Sequence, residues 1–323
     1  MIRAEEVRQL INNFASRGDS FLFGVDFELN RGFFIEQPLD CNDVLWRVGG
    51  VSNFNSFKKT PDAFKFSSRP IPFETYQQKF DLVHRGLLRG DSFLTNLTVR
   101  TPVETDLSLE MILKHCNSKY ALMIPDRFVC FSPETFVTIS NGIISSNPMK
   151  GTIRAEIPDA EQVILSDYKE TAEHYTIVDL IRNDLSRVAS QVRVDRLRYI
   201  DRLDTSQGPI LQVSSHISGQ LPDDYCQRLG DILFELLPAG SVSGAPKPST
   251  LHIIRRAEEE DRGYYCGVFG YFDGENLDTA VLIRFLEHTD EGFFYRSGSG
   301  ITVNSDAWYE YDEIKQKVYL PFV

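Results

Sequence analysis

Two pairs of glutamates have the spacing for joint chemistry. Glu170 and Glu173 lie in Lys169-Glu170-Thr171-Ala172-Glu173-His174, and Glu310 and Glu313 lie in Glu310-Tyr311-Asp312-Glu313. Both pairs are i, i+3, so on a helix the two carboxylates of a pair leave the same face. Two such faces brought together repel unless a cation lies between them. A shell of carboxylate oxygens, completed by water and an anionic substrate, suits Mg2+. Taken alone, either pair is more often a solvated acidic face. The residues around them reverse that balance.

Both pairs fall in stretches with helical character. Residues 160–187 read as one helical stretch with a break near Asp167, and Trp308–Val318 as a closing helix. Further helices are expected over residues 4–17, Thr75–Arg89, Asp224–Leu237 and Pro248–Asp261. Strand-like runs occur at Phe21–Phe27, Phe93–Val99, Tyr120–Ile124, Arg127–Phe131, Thr135–Ser140, Tyr264–Phe272, Ala280–Glu287 and Gly292–Arg296. Asn141-Gly142 between apolar runs signals a hairpin turn. Residues 50–70, rich in Gly, Ser, Asn, Lys and Pro, read as a loop. Hairpins alternate with isolated helices without a βαβ rhythm, which predicts an α+β architecture of mostly antiparallel sheets. The expectation is one two-lobed domain over residues 1–323.

Composition narrows the function. The 323 residues are 42% hydrophobic, ample for a large core, and carry a formal charge of -12. That charge argues against nucleic acid or an anionic membrane as the main partner, and makes an anionic substrate depend on a locally positive or metal-neutralised site. Five cysteines without Cys-x-x-Cys spacing read as reduced cytosolic thiols. The first 20 residues lack the apolar run of a signal peptide, and no stretch approaches 18 apolar residues. A cytoplasmic protein is expected. Gly240-Ser241-Val242-Ser243-Gly244-Ala245-Pro246-Lys247 lacks the phosphate-loop spacing, and its Pro246 removes a backbone N–H. No His-Glu-x-x-His pair and no Gly-x-Cys-x-Gly nucleophile setting occur, which excludes common zinc hydrolases and a glutaminase site within this chain.

Five segments together resemble the chorismate-utilising enzymes, the anthranilate, isochorismate, salicylate and aminodeoxychorismate synthases. They are KETAEHYTIVDLIRNDLSRV (169–188), GSVSGAPK (240–247), RGYYCGVFGY (262–271), VLIR (281–284) and GSGITVNSDAWYEYDEIKQK (298–317), and in order and spacing the likeness runs from about residue 90 to the C-terminus. The resemblance implies a large α/β sandwich of antiparallel sheets. It also implies that Glu170, Glu173, Glu310 and Glu313 hold Mg2+, which binds a carboxylate of chorismate. Residues 91–323 would be the catalytic part. Residues 1–90 would be a shortened N-terminal part, with no strong tryptophan feedback.

Within the family, Pro148-Met149-Lys150-Gly151-Thr152 is similar to the aminodeoxychorismate synthases, where the other enzymes carry alanine in place of Lys150. An amine of lowered pKa in a desolvated pocket can attack carbon. The implied course is attack by Lys150 at ring C2 with loss of the C4 hydroxyl, then addition of ammonia at C4 and release of the lysine. Glu134, in Ser132-Pro133-Glu134, matches the general acid/base, a role that favours a carboxyl raised by burial. Arg284 and Tyr265 match positions that grip the enolpyruvyl carboxylate, which suits the planar guanidinium fork. Gly151, Thr152, Gly298, Gly300 and Lys317 match positions around the ring carboxylate.

The chain departs from the family at two informative places. Gln212 stands where the family has a histidine, and glutamine cannot act as a base. Leu94 stands where isochorismate and salicylate synthases have a water-activating lysine. Gln212 disfavours an anthranilate or salicylate synthase, and Leu94 an isochorismate or salicylate synthase. The resulting expectation is an aminodeoxychorismate synthase synthetic subunit for para-aminobenzoate and folate synthesis, with ammonia from a separate glutamine amidotransferase. Another chorismate aminator or isomerase, or a catalytically dead binding relative, are the alternatives.

Overall fold

The computed structural model describes residues 1–57, 61, 63–205 and 208–322. Two large sheets dominate, and every strand pair among the described residues is antiparallel. The ten-stranded sheet runs Ile2–Arg3, Arg31–Glu36, Phe21–Val25, Val268–Phe272, Leu277–Val281, Thr135–Ser140, Ile143–Ser146, Gly208–Gln220 and Met149–Arg154, with Ser190–Thr205 also on Gly208–Gln220. The nine-stranded sheet runs Gly244–Ala245, Leu94–Thr105, Gly292–Ile301, Phe285–Thr289, Phe128–Cys130, Tyr120–Ile124, Leu45–Val48 and Val51–Ser52, with Phe66–Ser68 also on Leu94–Thr105. This is the expected α+β architecture of antiparallel sheets with flanking helices.

The five strand residues Tyr120–Ile124 are all buried, because both faces of the second sheet are covered. Tyr120, Leu122 and Ile124 join the largest core, which contains residues of both sheets, while Ala121 and Met123 pack with Ile112 and Leu113 of the helix Leu109–His115. The period-2 alternation of a strand makes this division. A third core sets Leu97 and Val99 against the helices Phe73–Leu88, Lys247–Glu258 and Ala307–Gln316 through Tyr76, Phe80, Ile253 and Tyr311.

The expected break near Asp167 is real. Helices Ala160–Ser166 and Tyr168–Leu185 meet there, and the Asp167 side chain caps the second by accepting from Glu170 N at 2.8 Å. Asn141 and Gly142 both have positive φ, 51° and 74°, and join two paired strands. Other boundaries move. Asp224–Leu237 divides into a 3-10 turn, Tyr225–Arg228, and a helix, Leu229–Leu236. The expected strand Ala280–Glu287 divides between the sheets: Leu277–Val281 belongs to the first and Phe285–Thr289 to the second. The loop expected over residues 50–70 contains short strands at Val51–Ser52 and Phe66–Ser68, while positions 58–60 and 62 lie outside the described residues.

Candidate active site

Two chain segments pass from one sheet to the other side by side. Ser132-Pro133-Glu134 leads from Phe128–Cys130 to Thr135–Ser140, and Leu282-Ile283-Arg284 from Leu277–Val281 to Phe285–Thr289. Backbone bonds tie the two crossings together, from Phe131 N to Arg284 O at 3.1 Å and from Val281 N to Glu134 O at 3.2 Å. Arg284 adopts φ 55°, a left-handed conformation uncommon outside glycine that places a charged side chain at the switch between sheets. Glu134 and Arg284 therefore both face a cavity of about 590 Å³, enough for a small organic ligand.

Each remaining wall comes from a different element. The strand Met149–Arg154 shifts register between Met149 and Thr152, a local irregularity that turns Lys150 and Gly151 toward the cavity. Gly151 has φ 81°, and a Cβ there would stand 3.1 Å from Glu170 Oε2, so this strand and the glutamate helix approach as only glycine allows. The helix Tyr168–Leu185 contributes Glu170, Glu173 and Asp184, and Ala307–Gln316 contributes Glu313, with Lys317 just beyond its end. Gly298 packs so tightly that an added Cβ would meet Leu97 O at 2.8 Å. Gly300, Thr152 and Tyr265 also line the cavity, as do Gln212 and Leu94. Glu310 is the exception among the expected residues. It is 2% exposed, is absent from the cavity wall, and together with Glu313 adds to burial in raising the Tyr76 phenol.

The charges are arranged in opposition. Lys150 Nζ lies 2.6 Å from Glu173 Oε2, whose side chain is only 6% exposed. Lys317 Nζ donates to Glu313 Oε1 at 2.6 Å and to Gly298 O at 2.8 Å. Arg284 has no acidic partner among the described residues, and its Nε reaches only Tyr319 Oη, at 3.3 Å. Burial pushes the Glu134 carboxyl up, opposed by the Ser241 hydroxyl and by Arg284 and Lys317. Burial also raises Glu170, and Glu173 and Glu313 add to it against Lys150.

The expected lowered pKa of Lys150 is not what this arrangement produces. Burial does push it down, but the attraction of Glu173, then Glu170 and Glu313, outweighs that, and the ammonium is held above the ordinary lysine value.

Four side chains escaped the sequence reading. Ser241 donates to Glu134 Oε1 at 2.5 Å, and Asp184 pairs with Lys247 at 2.9 Å. Asn96 lines the cavity with its Oδ1 buried and without a partner among the described residues. Ser241 and Lys247 belong to the segment GSVSGAPK, and Asp184 to the segment 169–188, so motif membership was their only signal.

A model of the family described as chorismate binding enzyme matches residues 41–321. The chain belongs to that family. It is accordingly an enzyme of the group that acts on chorismate. An uncharacterized PabA-like protein of Haemophilus influenzae is 47% identical over 96% of this chain and 94% of its own length. Aminodeoxychorismate synthase component 1 of Bacillus subtilis is 29% identical over 80% of this chain, which spans 57% of that longer protein. The crystal structure of anthranilate synthase component I from Streptococcus pneumoniae TIGR4 superposes with a TM-score of 0.67 at 29% identity, covering 82% of this chain and 60% of that one. No described helix of this family member is long and apolar enough to cross a membrane.

Proposed function

We propose that this chain is the synthetic subunit of an aminodeoxychorismate synthase, converting chorismate and ammonia to 4-amino-4-deoxychorismate. The observation that carries the reading is Lys150, a primary amine on the wall of the same cavity as Glu134 and Arg284. Arg284 would take the enolpyruvyl carboxylate in its guanidinium fork, helped by Tyr265. Lys317, Thr152 and the backbone at Gly151, Gly298 and Gly300 would hold the ring carboxylate. Lys150 would attack ring C2 while Glu134 gives its proton to the C4 hydroxyl, which leaves as water. Ammonia would then add at C4, the C2–N bond would break, and Lys150 would recover its amine. Since Glu173 holds Lys150 as an ammonium, attack requires that the Lys150 proton first pass to Glu173 or to water, which frees the nitrogen lone pair.

Glu170, Glu173 and Glu313 line the cavity, and Glu170 Oε2 is buried without a hydrogen-bond partner among the described residues, an oxygen-only donor set that suits Mg2+. Among the described residues no three such side chains already converge on one point, and Glu310 stands off the wall, so these carboxylates would draw together around the ion. When bound, the cation would neutralise them and a carboxylate of the substrate. The ammonia would come from a separate glutamine amidotransferase. The test is incubation of purified protein with chorismate, Mg2+ and ammonium, followed by product identification. Aminodeoxychorismate as the main product is expected, and anthranilate or isochorismate would overturn the reading.

A further inference from the structure

The Ser241 hydroxyl reaches Glu134 Oε1 at 2.5 Å across 107 residues of sequence, and both residues face the cavity. Ser241 sits in the short helical turn Gly240–Ser243, which is pinned on both sides. After the turn, Lys247 pairs with Asp184 at 2.9 Å, their side chains 13% and 15% exposed, and donates to Leu236 O at 2.7 Å. At its start, Gly240 is packed so that a Cβ would come within 3.0 Å of Asp184 Oδ2 and of the Leu180 side chain. Within it, Val242 O accepts from the buried Arg262 at 2.7 Å, and Ser243 Oγ donates to Ala239 O at 2.9 Å. The helix that carries Glu170 and Glu173 near its start thus anchors, near its end, the turn that faces Glu134.

We propose that Ser241 is a positioning residue that decides which oxygen of the Glu134 carboxyl carries the acid proton. The proposal rests on the reading of Glu134 as general acid. An Oε1 that accepts from Ser241 leaves the proton of the neutral carboxyl on Oε2, the oxygen free to meet the departing hydroxyl. In the transfer the Oε2–H bond breaks and the proton passes to the C4 oxygen, which leaves as water. Glu134 is then a carboxylate, and the Ser241 hydrogen bond stabilises that charge. Besides Ser241, the groups facing Glu134 are Arg284 from the neighbouring crossing, Lys317 from the end of the last helix, and the Cys266 thiol. Burial pushes Cys266 up to about 12, so it stays neutral where Glu134 titrates. The two cations and the hydroxyl all favour the carboxylate against burial.

The test compares Ser241→Ala and Ser241→Thr in the full chain. Difference infrared spectra against Glu134→Gln isolate the C=O stretch of protonated Glu134 without any turnover. In Ser241→Ala that band should persist to higher pH than in the wild type, and kcat should fall about tenfold or more, the scale of losing one hydrogen bond to a charged group. The chorismate KM should stay within about twofold, and Ser241→Thr should match the wild type in both readouts. An unchanged infrared titration in Ser241→Ala overturns the proposal, as does a fall in kcat that threonine does not restore. If Ser241→Ala fails to fold, Ser241→Cys, a weaker donor of similar size, must shift the band the same way. A shifted band together with full activity in Glu134→Gln would leave the hydrogen bond standing and remove the role of Glu134 as acid.

Discussion

Replacing Arg284 with alanine should cut chorismate turnover without unfolding the protein. The guanidinium is half-buried at the switch between sheets, its only side-chain hydrogen bond among the described residues is the long one to Tyr319 Oη, and it has no acidic partner there. Its removal breaks no ion pair among the described residues, and Glu134, whose carboxylate it favours, can take a proton instead, so Tm should change little, in contrast to the usual cost of breaking a buried pair. With substrate bound, the loss is that of one partner of a desolvated ion pair, about 2–5 kcal/mol. At about 1.4 kcal/mol per factor of ten, kcat/KM should drop by roughly 30-fold to several thousand-fold. Arg284→Lys should recover part of this, because the charge remains while the bidentate fork is lost. The assay is kcat/KM for chorismate at saturating ammonium and Mg2+, with thermal unfolding followed in parallel. Unchanged kcat/KM, or a loss matched by a fall in Tm, would refute the assignment of Arg284 to substrate.

Three further outcomes are expected. Glu173→Ala and Glu310→Ala should each abolish turnover with the fold retained, and near-normal rates in both without added metal would count against a cation held by the glutamate pairs. Arg262→Met should destabilise the protein by about 3–5 kcal/mol in denaturant titration, because it leaves Glu258 buried and uncompensated where Arg262 now pairs with it at 2.6 Å. The third concerns pH. Glu134 is raised in the folded protein, so its stabilising contribution is complete below the unfolded carboxyl pKa and lost as pH rises through the folded one. Glu134→Gln should accordingly gain Tm relative to the wild type as pH rises, and a Tm difference that is flat with pH would contradict the sign.

Local signals in the sequence were legible where one residue decides the backbone. Asp167 broke a long helical stretch because its carboxylate caps the next helix, and Asn141-Gly142 closed a hairpin because both tolerate positive φ. The long hairpin of Ser190–Thr205 with Gly208–Gln220 was missed, since VRVDRLRYIDR interleaves charges with apolar residues and its register shifts three times. The division of Ala280–Glu287 between two sheets was equally hidden, because a crossing has no compositional mark, although it is what aims Arg284. The motif residues named from the sequence, Glu310 apart, line one cavity, but their charge states were not legible. Nothing near Lys150 in sequence announces the Glu173 carboxylate that holds it protonated, and nothing near Glu134 announces Ser241.

The central claim is a covalent bond between Lys150 and the chorismate ring, and intact-mass analysis after chorismate and Mg2+ alone tests it most directly. With ammonia withheld, the protein should gain the mass of chorismate less one water, and peptide mapping should place it on Lys150. Lys150→Ala should show no adduct and lose most activity. Unmodified protein under these conditions, together with aminodeoxychorismate made by Lys150→Ala at the wild-type rate, would contradict the covalent role and leave Lys150 as an electrostatic aid.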